Sequence, residues 1–228
     1  MESLDNQVIV INGGSGRLGR SVAEQIIDYD CFLVLIGRDE VKLKEICVEL
    51  KGKAKVSYFV CDLTNEKQVK KTINKINSQY KKIDILVNSV GSWFQGEIPD
   101  HSTVKVKELF DSNVLGVISF VSQALDLVRK SSKGQILNIV STFTSEGLIS
   151  WPIYLSSKAA LKSFTESLKL TVKEEQIKIM AIHPDAINRY NIEHVVRIIL
   201  FMLEQPNTIF ISNLETKNNY FPVLRKQA

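Results

Sequence analysis

The chain has 228 residues, 44% hydrophobic and 24% charged, which fits a globular domain and excludes disordered, collagen-like and coiled-coil chains. Its net charge of +4 is spread along the sequence and calls for no nucleic-acid partner. Cys31, Cys47 and Cys61 lack CxxC spacing, no apolar run approaches the about twenty residues of a membrane span, and the opening MESLDN lacks signal-peptide features; a reducing, cytoplasmic setting with no zinc site and no membrane partner is expected.

Short β-branched runs then alternate with longer amphipathic stretches. Strands are predicted at Gln7–Asn12, Phe32–Ile36, Lys55–Cys61, Ile83–Asn88, Gln135–Ser141, Ile177–Ile182 and Thr208–Ser212. Most are apolar almost throughout, as strands covered on both faces are. Helices are predicted at Arg17–Tyr29, Glu40–Leu50, Glu66–Tyr80, Thr103–Lys130, Trp151–Glu175 and Asn191–Glu204. This alternation specifies an α/β fold: one Rossmann-type domain over residues 1–228, with a doubly wound parallel sheet of about seven strands. Right-handed crossovers favour the order 3-2-1-4-5-6-7.

Such sheets bind ligands beyond the carboxyl ends of their strands, so the strand ends matter most. The first runs through Asn12-Gly13-Gly14-Ser15-Gly16-Arg17-Leu18-Gly19 into a helix. Glycines let a pyrophosphate approach the backbone and the helix start offers free amides, although a tight turn alone would also need glycine. The same stretch approximates the GxxxxGK[ST] phosphate loop of nucleotide kinases, with Arg20 in place of the lysine. Arginine is not equivalent to that point charge. The second strand ends in Gly37-Arg38-Asp39: no acid stands at position 37 to hold ribose hydroxyls, and Arg38 suits a 2′-phosphate, favouring NADP(H) over NAD(H). Asp39 reads as a helix cap. Asp62, with Leu63 and Thr64 after the third strand, either accepts from an adenine amino group or caps the next helix. Asn88-Ser89-Val90-Gly91 closes the fourth strand.

Ser141, Tyr154 and Lys158 form the decisive set. Tyr154 and Lys158 are four residues apart and share a helix face, and Ser141 ends the fifth strand. A tyrosine with a pKa near 10 is a poor acid–base group at neutral pH, and a neighbouring ammonium favours its phenolate. A Tyr-x-x-x-Lys pair alone is common on ordinary helices.

Together, the run Gly134 to Ser141, the segment Tyr154-Leu-Ser-Ser-Lys158-Ala-Ala-Leu161 and the thirteen-residue interval from Ser141 to Tyr154 resemble the short-chain dehydrogenase/reductase family. The resemblance runs from about Gln7 to Ser212. It implies catalytic roles for Asn113, Ser141, Tyr154 and Lys158, with the backbone of Asn113 supporting a water in the proton relay. It implies cofactor contacts from Gly13, Ser15, Gly16, Arg17, Leu18, Gly19, Arg38, Asp62, Leu63, Asn88, Ser89, Val90, Gly91, Tyr154, Lys158, Pro184 and Ile187. The expected activity is interconversion of a carbonyl and a hydroxyl group, on a small-molecule or carrier-bound substrate.

The chain also departs from the family pattern. Its glycine loop resembles that of extended and atypical members, with Arg17 where the compact oxidoreductases carry a middle glycine. Pro184-Asp185 replaces a Pro-Gly turn, and Arg189 replaces a threonine that usually contacts the cofactor. The segment Ala186–Ile192 is too short for the usual substrate-covering loop, and Asn213 to Asn219 replaces a Gly-rich strand end. Trp93, Phe94, Phe143, Trp151 and Tyr190 are candidates for an aromatic floor, or for ordinary packing. Val117, Phe120, Val121, Leu161, Phe164 and Leu168 exceed what one sheet face should cover, and in the resembling family these helices pair into a four-helix bundle. A homodimer or homotetramer is therefore expected. A dinucleotide-binding regulator or scaffold with a vestigial site is the alternative.

Overall fold

The computed structural model describes residues 2–96, 98, 102–144, 151–206 and 208–216. Seven parallel strands form one sheet in these residues: β1 (Val8–Asn12), β2 (Phe32–Gly37), β3 (Lys55–Val60), β4 (Ile85–Asn88), β5 (Gln135–Ile139), β6 (Lys178–His183) and β7 (Asn213–Glu215). Their order, β3-β2-β1-β4-β5-β6-β7, is the predicted one, and the fold is Rossmann-type α/β. The switch point lies between β1 and β4, where the chain reverses its direction of travel across the sheet.

The continuous apolar runs have a simple cause. Successive strand residues face opposite sides, and both sides are cores. Ile9, Ile11, Leu33, Leu35, Ile85 and Val87 face α1 (Arg17–Ile26), α2 (Glu40–Glu49) and α7 (Ile192–Leu203). Val10, Val34, Ile36, Leu86 and Ile136 join the core covered by α3 (Glu66–Tyr80), α5 (Gly116–Arg129) and α6 (Pro152–Thr171). Helix starts follow their capping residues: Asp39 accepts from the Lys42 amide at 3.1 Å and Asn65 from the Gln68 amide at 3.2 Å.

Three expectations need correction. The helix predicted over Thr103–Lys130 is interrupted: α4 (Thr103–Phe110) passes into a π-helical turn, Asp111–Leu115, before α5 begins. Periodicity does not register one widened turn, which is a common device at functional sites. The last strand is Asn213–Glu215 rather than Thr208–Ser212. Ile209 donates its amide to the Pro206 carbonyl, so a turn occupies the start of the predicted strand, and pairing with β6 begins where Ala181 donates to the Ser212 carbonyl. Residues 217–219 of the segment noted after it lie outside the described residues. The third concerns self-association. Val117, Phe120, Val121, Leu161 and Leu168 are buried within this chain's own core, so they are not surplus apolar surface, while Phe164 is half-buried against that core.

No helix among the described residues is long and apolar enough to cross a membrane. Cys31 and Cys61 are buried and Cys47 is partly so, all as free thiols.

Candidate active site

Two clefts meet above the carboxyl ends of β1 and β4. Gly16, Ser89, Val90 and Gly91 line both. The first cleft continues over Gly13, Ser15, Gly37, Arg38, Cys61, Asp62, Leu63, Thr64, Ser92 and Ser112. The second, about 480 Å³, continues over Arg17, Leu18, Trp93, Ser141, Phe143, Trp151, Tyr154, Lys158, Pro184 and Ile187. Gly13, at φ 77, makes the turn out of β1. No side chain caps α1, so its first amides are free at the junction, where a phosphate would find both donors and the positive dipole end. The buried Ser89 hydroxyl also lacks a protein partner here. These features fit a dinucleotide lying across both clefts. Position 37 carries no acid, and a Cβ there would lie 2.7 Å from the Ser15 hydroxyl, which would have to turn away. Arg38 is exposed at this end.

The second cleft gathers the residues with acid–base chemistry. Ser141 lies just past β5, and Tyr154 and Lys158 lie on the first turns of α6, which opens with Pro152. Lys158 is buried, and its ammonium donates to the Ile139 carbonyl at 2.9 Å. That ammonium stands 6.0 Å from the centre of the Tyr154 ring. Burial pushes the Tyr154 hydroxyl up to about 12 and the Lys158 ammonium down to about 8. The expected lowering of Tyr154 by Lys158 is thus absent from this arrangement, because desolvation dominates both groups. Two hydroxyls and an ammonium beside an open cleft can still donate to a carbonyl oxygen and pass it a proton.

Asn113 sits in the π-helical turn, fully buried. Its Nδ2 donates to the Ser92 carbonyl at 2.9 Å and to the Ser157 hydroxyl at 3.0 Å, while its Oδ1 accepts from the Ser92 amide at 2.8 Å. The widened turn therefore joins the β4 loop to α6 directly behind Tyr154 and Lys158.

Other residues take different places from those expected. Asn88 faces neither cleft: Asn12 Nδ2 donates to its Oδ1 at 2.7 Å, and its own Nδ2 donates to Asn138 at 2.8 Å, a buried ladder that continues from Asn138 to Thr165. Gly19 packs α1 on the glycine loop, since a Cβ would stand 2.3 Å from the Gly13 carbonyl. Asp62 caps no helix; it accepts from the Thr64 amide and hydroxyl, and Asn65 caps α3. Trp151 packs tilted against Trp93 and edge-on to Tyr154, with centroids 5.2 Å and 5.8 Å away, so two of the proposed aromatics line the cleft as a pair and Phe143 joins them. Phe94 is not among the lining residues, and Tyr190 stands in solvent with Arg189 over its ring at 4.7 Å. Ser92, Ser112, Ser157 and the Ile139 carbonyl escaped the sequence reading. Ser157 had a signal, its place inside the Tyr154–Lys158 segment; a backbone carbonyl has none.

Residues 7–195 match the family model described as short chain dehydrogenase. An uncharacterized oxidoreductase of Staphylococcus saprophyticus is 28% identical over 82% of this chain and 81% of its own length. Another, from Staphylococcus epidermidis, is 24% identical over 94% of this chain and 98% of its own. Among solved structures, the alcohol dehydrogenase of the archaeon Thermococcus sibiricus, complexed with 5-hydroxy-NADP, superposes with a TM-score of 0.88 at 19% identity, covering 95% of this chain and 98% of that one. L-sorbose reductase of Gluconobacter frateurii, complexed with NADPH and L-sorbose, superposes with a TM-score of 0.88 at 20% identity, covering 97% and 99%.

Proposed function

The chain belongs to the short-chain dehydrogenase family, and on that premise we propose that it is an oxidoreductase interconverting a carbonyl and a hydroxyl group with NADP(H), through Tyr154. The observation that carries this is the meeting of Ser141, Tyr154 and Lys158 in one cleft that joins the Arg38 cleft at Gly16 and Ser89–Gly91. The free amides of α1 and the Ser89 hydroxyl would hold the pyrophosphate, Arg38 a 2′-phosphate, and Lys158 the nicotinamide ribose. When bound, NADPH supplies hydride to the carbonyl carbon.

The protein's own part is proton transfer and orientation. Ser141 donates a hydrogen bond to the carbonyl oxygen and fixes it beside Tyr154. Tyr154 gives that oxygen its hydroxyl proton as negative charge develops there, leaving a phenolate. Lys158 stabilises the phenolate and, with a water held near the Asn113 backbone, returns a proton to it. Neutral Tyr154, favoured by burial, is the form that reduction requires. One domain carries the whole site. Assembly as a homodimer or homotetramer rests on the family resemblance, because five of the six apolar helix residues named for it are internal.

Both tryptophans of the chain, Trp93 and Trp151, line the second cleft. NADPH binding should therefore quench their emission by energy transfer, saturably, and Lys158→Ala should weaken the effect. No transfer from the wild-type protein would refute the assignment.

A further inference from the structure

Building on the reductase assignment above, we propose that the carbonyl substrate carries an anionic group, a carboxylate or phosphate joined to an apolar or aromatic body, and that Arg17 receives that group. Arg17 is the first residue of α1 and lines the cleft of Tyr154 and Ser141; it is not among the residues lining the Arg38 cleft. Its side chain is exposed and has no hydrogen bond or ion pair among the described residues. Arg20, one turn on, is by contrast committed to Glu24 and Glu49, each at 2.8 Å.

The wall of the cleft sets the charge balance. Among the described residues lining it, the charged side chains are Arg17 and Lys158, and none is acidic. Lys158 is buried, bonded to the Ile139 carbonyl and assigned above to the cofactor ribose, so Arg17 is the cation left to meet the substrate. Leu18, Trp93, Phe143, Trp151, Leu155 and Ile187 line the same cleft and are apolar or aromatic. A largely apolar cleft lined by one uncommitted arginine complements a flat or greasy acid. The guanidinium fork can take a carboxylate or phosphate through two parallel hydrogen bonds. A bond of that kind is typically worth tenfold to about a hundredfold in affinity. The cofactor's pyrophosphate offers the same anionic chemistry. The position of Arg17 on the Tyr154 side favours the substrate.

The rings of Trp93 and Trp151 meet at a tilt with centroids 5.2 Å apart on this wall and are the only tryptophans in the chain, so their emission reports on this cleft. The probes are phenylglyoxylate and its methyl ester, which share a ketone and an aryl ring and differ in charge. Each is titrated into protein saturated with NADP+. Phenylglyoxylate should bind at least about tenfold more tightly than the ester. Arg17→Gln should erase that preference and Arg17→Lys should keep part of it. Equal binding of acid and ester, no binding of the acid, or a preference that survives in Arg17→Gln would overturn the proposal. So would an Arg17→Gln variant that loses NADP+ affinity while its preference for the acid stays intact, since the arginine would then serve the pyrophosphate. Failure of the reductase assignment registers separately, as absent energy transfer from the tryptophans to NADPH.

Discussion

The ammonium of Lys158 donates to the Ile139 carbonyl at 2.9 Å and stands 6.0 Å from the centre of the Tyr154 ring. The lysine is thus anchored to the end of β5 and not to the phenol it is assigned to serve. Its charge is held in a buried place by one carbonyl, and no carboxylate among the described residues lines that cleft. Such a site destabilises the ligand-free protein, which is a familiar cost of holding a functional cation ready.

That cost has a pH signature. Lys158 falls from 10.5 to about 8 on folding because burial disfavours its charge. Below pH 8 it is protonated in folded and unfolded chains alike, and the folded state carries the whole penalty. Between 8 and 10.5 the unfolded chain binds more protons, so stability rises with pH; above 10.5 the penalty is gone. Relative to Lys158→Met, the wild-type protein should gain about 3 kcal/mol across this window, at about 1.4 kcal/mol per unit. Urea unfolding of both proteins at the two ends measures it. A pH-independent difference would contradict the burial argument.

Cofactor preference follows from Gly37 and Arg38. With no acid at position 37 and an exposed guanidinium next to it, NADPH should bind ten- to about a hundredfold more tightly than NADH. Arg38→Ala should bring the two dissociation constants together, as measured by calorimetry. Equal constants for the wild-type protein would show that Arg38 does not meet the 2′-phosphate.

Asn113 ties the Ser92 loop to Ser157 through three hydrogen bonds. Asn113→Ala would leave the Ser92 amide and carbonyl and the Ser157 hydroxyl without that partner. With each unmade buried bond costing about 1–3 kcal/mol, the variant should lose about 3 kcal/mol in a denaturant titration. A loss below about 0.5 kcal/mol would mean that the π-helical turn holds itself without this side chain.

How much of this the sequence discloses depends on the kind of interaction. Strand order was legible because β1, β2, β4, β5 and β6 are apolar on both faces and each is followed by an amphipathic helix. Strand β7 was misplaced because Ile209 and Phe210 look like strand residues yet stay exposed, while the pairing residues Asn213 and Glu215 are polar. That Ser141, Tyr154 and Lys158 share one cleft was legible from spacing and motif. The role of Asn88 was not, since its ladder to Asn12 and Asn138 depends on three strands lying side by side. The burial of Val117, Phe120, Val121, Leu161 and Leu168 was hidden for a related reason: composition shows how apolar a helix is, and only packing shows how much of that surface its own sheet consumes.

The most direct test compares the wild-type protein with Tyr154→Phe, following NADPH consumption with a panel of ketones, aldehydes and quinones while measuring NADPH binding in parallel. Removing a general acid typically costs 10²- to about 10⁴-fold in rate. The phenylalanine ring preserves the packing against Trp151, so Tyr154→Phe should lose at least about a hundredfold in kcat with NADPH affinity within about twofold of wild type. A Tyr154→Phe variant that reduces the same substrate at the wild-type rate would contradict the assignment of Tyr154 as the proton donor.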